Sequence, residues 1–344
     1  VRSPGVVTQK HSPIPKGVTQ PWEMLRSVQG LPLAKNRTIY SVSGCPSQAR
    51  FLVHNHCLEN LQRGLVERVF CVEREGKLVA APQPVKGAFK SLLPFRQAVI
   101  GSMGVAHQLS YDGFLSYYSG ARLRMYSKAV ESLHIRSVRK DDAHLSTFVK
   151  AEKISTLKGD PAPRVIQPRS PRYNVELGRY LRHLEKKFMK AIDGVFGEPT
   201  CIKGYTNDEV GVIIKDKWAK YVRPVGIGLD ASRFDQHCSV DALKFEHGFY
   251  TGVYPTSKLL PNLLDWQLHN EGKGYTPNGR VKYRKLGCRM SGDINTSLGN
   301  YILMCSMVWG FMRSLGISNY SLVNCGDDCV IITERRYTRA IQKN

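Results

Sequence analysis

The chain has 344 residues, 42% of them hydrophobic, and its 50 Lys and Arg against 28 Asp and Glu leave a formal charge of +22. That length and composition suit a globular protein with a sizeable core, organised as one large domain or two ordinary ones. An excess of positive charge this large implies a polyanionic partner, and nucleic acid is favoured over a membrane surface.

Nine cysteines at irregular spacings, with no CxxC pair and no His near Cys325 and Cys329 to complete a zinc spacing, read as reduced thiols of a cytosolic compartment. No signal peptide is visible and the chain begins with Val1, so a fragment or processed piece is expected. The most apolar long run, 298 to 316, contains Asn300, Ser306 and Arg313 and predicts a buried helix, not a membrane span.

In chain order, residues 1–45 read as an extended arm or linker, the first 23 of them carrying prolines at 4, 13, 15 and 21. Composition becomes globular from about residue 46. Leu58, Leu61, Leu65 and Val69 fall at helical spacing and run into a possible strand near 73. Residues 82–95 read as a loop broken by Pro and Gly, and 121–134 and 175–192 as amphipathic helices with basic faces. Between these helices, "KAEKISTLKGDPAPRVIQPRSPR" (150–172) sets Lys150, Lys153, Lys158, Arg164, Arg169 and Arg172 against Glu152 and Asp160, by itself a solvated basic loop. From about 200, strands alternate with helices, which gives an α+β or α/β class.

The segment "VGIGLDASRFDQHCS" (225–239) alternates Val225, Ile227 and Leu229 with Gly226, Gly228 and Asp230. In a strand the apolar side chains take one face, and Asp230 shares the other with two glycines that leave room for a close approach. Asp235, after an expected turn, can reach back toward the same space. The plain alternative is a strand whose last Asp caps the next helix. The second acidic pair, Asp327 and Asp328 in "NCGDDCVIIT", reads alone as a hairpin turn. Together the two pairs point to hard divalent cations, which take one or two carboxylates plus substrate phosphates and can serve phosphoryl transfer as two ions. Metal-assisted chemistry on nucleic acid follows, equally that of a polymerase or a nuclease.

Between the pairs, "GCRMSGDINTSLGNYILMCSMVWGF" (287–311) feeds a flexible Ser291-Gly292 loop into a helix that shows Thr296 and Asn300 on one face. Hydroxyl and amide groups so placed suit a ribose 2′-OH, the group that separates RNA from DNA, although a plain capped helix has the same residues.

Asp230-x4-Asp235, then Ser291-Gly292-Asp293-x-Asn295-Thr296-x3-Asn300, then Gly326-Asp327-Asp328, occur in this order. The chain thereby resembles the RNA-dependent RNA polymerases of positive-strand RNA viruses, and the tombusvirus family, its carmovirus and necrovirus types in particular, from residue 51 to the end. The resemblance implies an α+β right-hand polymerase fold with fingers plus partial palm and the thumb missing. It implies an arm over 1–45, fingers over 46–200, a first palm part over 201–240, a fingers insertion over 241–285 and a second palm part over 286–344. It implies that Asp230 and Asp327, assisted by Asp328, are catalytic and bind two Mg²⁺ or Mn²⁺ ions. Nucleotide binding falls to Asp235, Ser291, Gly292, Thr296 and Asn300 at the ribose, and to Lys150, Lys153, Arg164 and Arg169 from a basic loop over the nucleotide tunnel.

The implied partners are nucleoside triphosphates, a single-stranded RNA template with its nascent strand, and a viral auxiliary replication protein that brings the enzyme to host membranes in cytoplasmic replication complexes. The family continues well past the Gly-Asp-Asp triplet, so the piece by itself is expected to be inactive. Two rivals are separable: a two-metal nuclease has no need of the 291–300 set, and a non-catalytic RNA-binding module would bind without Mg²⁺ and without Asp327. A reverse transcriptase is disfavoured by Asn300 and Asp235.

Overall fold

The computed structural model describes residues 2–14, 20–31, 37–40 and 51–343. Its first half contains strand β1 (Met24–Gln29), helix α1 (Leu58–Leu65), α2 (Leu93–Met103), α3 (Gly120–Ile135), β2 (Leu145–Ser146), α4 (Pro171–Leu181) and α5 (Glu185–Phe196). The second half contains α6 (Asn207–Trp218), β3 (Pro224–Asp230), the one-turn α7 (Phe234–His237) and α8 (Val240–Val253). There follow β4 (His269–Thr276), β5 (Gly279–Leu286), α9 (Thr296–Ser314), β6 (Tyr320–Cys325) and β7 (Asp328–Glu334). The result is a mixed α/β structure with mainly antiparallel sheets.

Two sheets carry the architecture. A three-stranded antiparallel sheet has the order β3-β7-β6, and a four-stranded sheet the order β1-β5-β4-β2, with only β4 and β2 parallel. Strand alternation fixes what each face meets. In β3 the partly buried Ile227 and Leu229 lie against the largest core, whereas Gly226, Gly228 and Asp230 are exposed on the other face. That core is built around α9, where Leu298, Ile302, Cys305, Val308 and Met312 are buried at the predicted spacing of three and four. Its other residues are also largely buried, as befits a helix apolar on all sides. The helix stops where Gly316 and Ile317 donate their N–H groups back to the Arg313 and Met312 carbonyls, a cap that satisfies two terminal acceptors. A second core lies between α1 and the four-stranded sheet, with Leu61, Leu65, Val281 and Tyr283 at its centre.

Two expectations gain detail. The N-terminal segment, read as an extended arm or linker, is extended and docked: β1 forms the outer strand of the four-stranded sheet through six residue pairs with β5. Glu23 fixes it there, accepting from buried Lys285 at 2.6 Å and from the Leu286 N–H at 3.1 Å. Pro15 and residues 41–50, also covered by the sequence expectations, lie outside the described residues. The loop predicted over 82–95 gives way to a 3₁₀ turn at Ala88–Leu92 and then α2, whose Pro94 occupies the first turn, where a missing N–H costs no hydrogen bond. Residues 241–285, expected as a fingers insertion, divide between the two cores. Helix α8 contributes Leu243, Phe245, Phe249 and Tyr250 to the core of α9, and β4 and β5 belong to the other sheet.

The two basic helices are present as α3 and as α4 plus α5, the latter pair parted by a 3₁₀ turn at Arg182–Leu184. The eight described cysteines are free thiols. Among the described residues no helix is long and apolar enough to cross a membrane.

Candidate active site

The register of the three-stranded sheet brings the two acidic motifs together. Asp230, the last residue of β3, pairs across the ladder with Asp328, the first of β7. Directly opposed residues in an antiparallel pair have Cα atoms about 4.5–5.5 Å apart and side chains on one face. Asp327 precedes Asp328 at the tip of the β6–β7 hairpin, whose two-residue loop is Gly326-Asp327. Gly326 has φ +95°, the left-handed region a two-residue hairpin needs at its first loop position. The Asn324 side chain braces the turn, accepting from Gly326 N at 2.8 Å and donating to Gly326 O at 2.9 Å.

A sharp reversal returns Asp235 to the same place. Arg233 adopts φ +54°, uncommon for a residue with a side chain, and α7 begins immediately after it. Asp235 accepts from Ser291 Oγ at 2.7 Å on one oxygen and from Asn300 Nδ2 at 2.9 Å on the other. Asn300 also lies close enough to Asp327 to favour its charged form, so one amide serves both acidic motifs.

Asp230, Asp235, Asp327 and Ser291 open onto one cavity of about 450 Å³. Lys153, Lys158 and Arg164 from the basic loop, with Arg68 and Arg233, line the same cavity. Partial burial pushes the Asp327 carboxyl above the ordinary aspartate range, and the charges of Asp235 and Asp328 push the same way; hydrogen bonds from its backbone and Asn300 only partly offset this. Among the described residues none of the four aspartates forms an ion pair with Lys or Arg. Nor do any three His, Cys, Asp or Glu side chains among them already form a metal-binding group. Oxygen-only donors that repel one another nevertheless suit a hard divalent cation, which needs few protein ligands when phosphate supplies the rest.

The remaining predicted residues divide. Lys153 and Arg164 are exposed on the cavity wall; Arg164 and Lys150 each lie near Glu152, at 3.4 and 3.3 Å, and Lys150 is off the wall. Arg169 is a correction. It is 3% exposed and pairs with buried Asp293 at 2.5 Å, while donating to the Ala143 carbonyl at 2.8 Å and Asn270 Oδ1 at 2.7 Å. Burial opposes its charge, but Asp293 more than compensates and raises its pKa. A guanidinium so enclosed cannot meet a nucleotide.

Thr296 is also turned away from a sugar, because its hydroxyl bonds the Met290 and Asp293 carbonyls at 3.1 and 2.9 Å. Asn300 is buried behind Asp235, not on the wall. The Ser291-Gly292 loop, expected to be flexible, is anchored: Ser291 O accepts from Gln167 N at 2.7 Å. Gly292 has φ +129°, and a β-carbon there would lie 2.9 Å from Pro168 N.

Sequence reasoning missed Arg68, Arg233, Arg289 and Glu246. A signal existed for Glu246: it shares the helical spacing of Leu243, Phe249, Tyr250 and Val253 on the apolar side of α8, where a carboxylate requires a buried partner.

Comparison with known proteins shows the family of the chain. A family model described as viral RNA dependent RNA polymerase matches residues 25–344. The chain is 71% identical over 342 residues to the RNA-directed RNA polymerase of Cucumber necrosis virus, covering 99% of this chain and 42% of that protein. It is 70% identical to that of Tomato bushy stunt virus (strain Cherry), over 100% of this chain and 42% of the relative. For Tobacco necrosis virus (strain A) the identity is 52%, over 88% and 42%. The chain thus spans about 42% of the length of these relatives, and from residue 25 onward it belongs to the viral RNA-dependent RNA polymerase family.

Proposed function

We propose that this chain forms the nucleotidyl-transfer centre of an RNA polymerase that copies an RNA template by adding ribonucleoside triphosphates to an RNA 3′-hydroxyl. The observation that carries the reading is the convergence of Asp230, Asp327 and Asp235 on one cavity that Lys153, Lys158 and Arg164 also line. Carboxylates and cations lining one cavity suit a triphosphate presented with its counter-ions. Asp230, Asp327 and Asp328 would hold two Mg²⁺ or Mn²⁺ ions, which when bound lower the pKa of the attacking hydroxyl and neutralise the departing pyrophosphate. The protein's own part is alignment. Lys153 and Arg164 draw the triphosphate in, and Asp235 with Ser291 offers acceptor and hydroxyl groups to the ribose.

In this reading the sheet of β3, β6 and β7, with α8 and α9, is the palm of a right-hand polymerase, and the four-stranded sheet with the 150–172 loop belongs to its fingers. The expected auxiliary protein, host membranes and cytoplasmic replication complexes rest on family membership alone. The reading is tested with the intact polymerase on an RNA template, following labelled ribonucleotide incorporation with and without Mg²⁺. Template-independent RNA breakdown in place of synthesis would favour the nuclease.

Two further outcomes follow. Lys153→Ala and Arg164→Ala should each raise the nucleotide KM about tenfold while kcat changes less, since a hydrogen bond to a charged group contributes about 1.5 kcal/mol or more. Steady-state kinetics with varied nucleotide concentration measures it, and a pure kcat defect would contradict the assignment. Asn300→Ala should reduce the preference for ribo- over deoxyribonucleotides at least about tenfold, because it frees Asp235, the acceptor offered to the ribose hydroxyl, from the amide that orients it. Competition between the two nucleotide types gives the ratio directly.

A further inference from the structure

We infer that Arg289 and Glu246, a buried ion pair beneath the cavity, are positioning residues that set the sugar specificity of the site by fixing the amide orientation of Asn300. The inference rests on the ribose reading proposed above and extends it one layer inward.

The argument begins with hydrogen-bond polarity. Asp235 is acceptor-only when ionised, and an arginine guanidinium is donor-only. Asn300 stands between them: its Nδ2 donates to Asp235 at 2.9 Å, and its Oδ1 accepts from Arg289 Nε at 3.2 Å. Only one amide orientation satisfies both neighbours, since the flipped form would set NH₂ against N–H on one side and oxygen against carboxylate on the other. Arg289 therefore decides that Asn300 shows its NH₂ to the acidic motifs. It also holds the turn itself, because its backbone N–H donates to the Asp235 carbonyl at 2.8 Å. Ser291, two residues on, covers the second Asp235 oxygen.

The pair is built for that place. Arg289 is 1% exposed and Glu246 0%, and their side chains hydrogen-bond directly. Glu246 accepts in addition from Tyr250 Oη at 2.7 Å and Asn295 Nδ2 at 3.0 Å. Position 299 in α9 is glycine, and a β-carbon there would run into both Glu246 Oε1 and Arg289 Nη2. Buried ion pairs are poor stabilisers compared with apolar residues of the same volume. What this one supplies is a directed donor. Arg289 Nη1 has no hydrogen-bond partner among the described residues, and the residue itself lies at the cavity wall.

The test compares kcat/KM for a ribonucleotide with that for its 2′-deoxy analogue in the intact polymerase. The double variant Arg289→Met/Glu246→Met removes both charges together, so the fold is kept, but it also removes the Nε donor. Its melting temperature should stay close to the parent's while the ribo/deoxy ratio falls about tenfold. A purely structural pair would scale both nucleotides alike and leave the ratio intact, so a folded double variant with a ratio within twofold of the parent overturns the proposal. Should that variant fail to fold, Arg289→Lys decides: it keeps a cation on Glu246 without the fork that reaches Asn300, and the same fall or constancy of the ratio supports or overturns. A parent enzyme that incorporates no ribonucleotide overturns the polymerase reading itself. An active Asn300→Ala enzyme with an unchanged ratio overturns the ribose reading and this inference with it.

Discussion

Asp327→Asn should abolish nucleotide incorporation while making the folded protein more stable at neutral pH. The first effect follows from charge: a neutral amide neither holds a divalent cation as a carboxylate does nor stabilises the transferring phosphoryl group, and losing such a group costs about 10²–10³ in kcat or more. The second follows from the raised pKa of Asp327, caused by partial burial and then by Asp235 and Asp328. A carboxyl that holds its proton more tightly folded than unfolded contributes stability below its unfolded pKa, and that contribution is lost as pH rises through the folded value. At neutral pH the ionised Asp327 therefore burdens the fold, and asparagine relieves it. The gain in melting temperature should shrink as pH falls through the raised pKa and vanish below the ordinary aspartate range. Thermal unfolding from acid to neutral pH, beside a primer-extension assay, checks both. A variant that is less stable at pH 7, or that still extends RNA at near-parent rate, contradicts this account.

Arg169→Ala should behave in the opposite way, as a folding defect. A nucleotide-contacting arginine on an open loop would raise KM and leave stability alone. The structure instead buries Arg169 against Asp293, so alanine leaves an enclosed carboxylate and two hydrogen-bond acceptors, Ala143 O and Asn270 Oδ1, without their donor. Removing one partner of a buried pair costs about 3–5 kcal/mol. Denaturant unfolding should show that loss, and Arg169→Met/Asp293→Leu should recover much of it because both charges then leave together. If Arg169→Ala unfolds like the parent and only its nucleotide KM rises, the buried assignment is wrong.

Arg169 also shows where reading the sequence stops. The acidic motifs were legible because strand alternation and hairpin chemistry are local: Val225 to Asp230 dictates which face Asp230 takes, and a Gly-Asp pair between β-branched runs dictates a turn. Helix α9 was legible from its spacing. The basic run at 150–172 was not separable in this way, since sequence gives the charge of Arg164 and Arg169 alike and only tertiary contact exposes one and encloses the other. The same limit hid the Arg289–Glu246 pair, whose members are 43 residues apart. Prolines hid structure twice: they marked an extended arm without showing that β1 pairs within it, and they read as a break in front of α2, where Pro94 begins a helix.

The docking of β1 has a practical corollary for anyone trimming this protein. Composition invites a cut at the apparent start of the globular region, near residue 46. Such a cut would strip the selvedge from the four-stranded sheet, bare the ladder groups of β5 to other chains and orphan the ammonium of Lys285. What looks like packaging is the hem that keeps this fabric from fraying into aggregates.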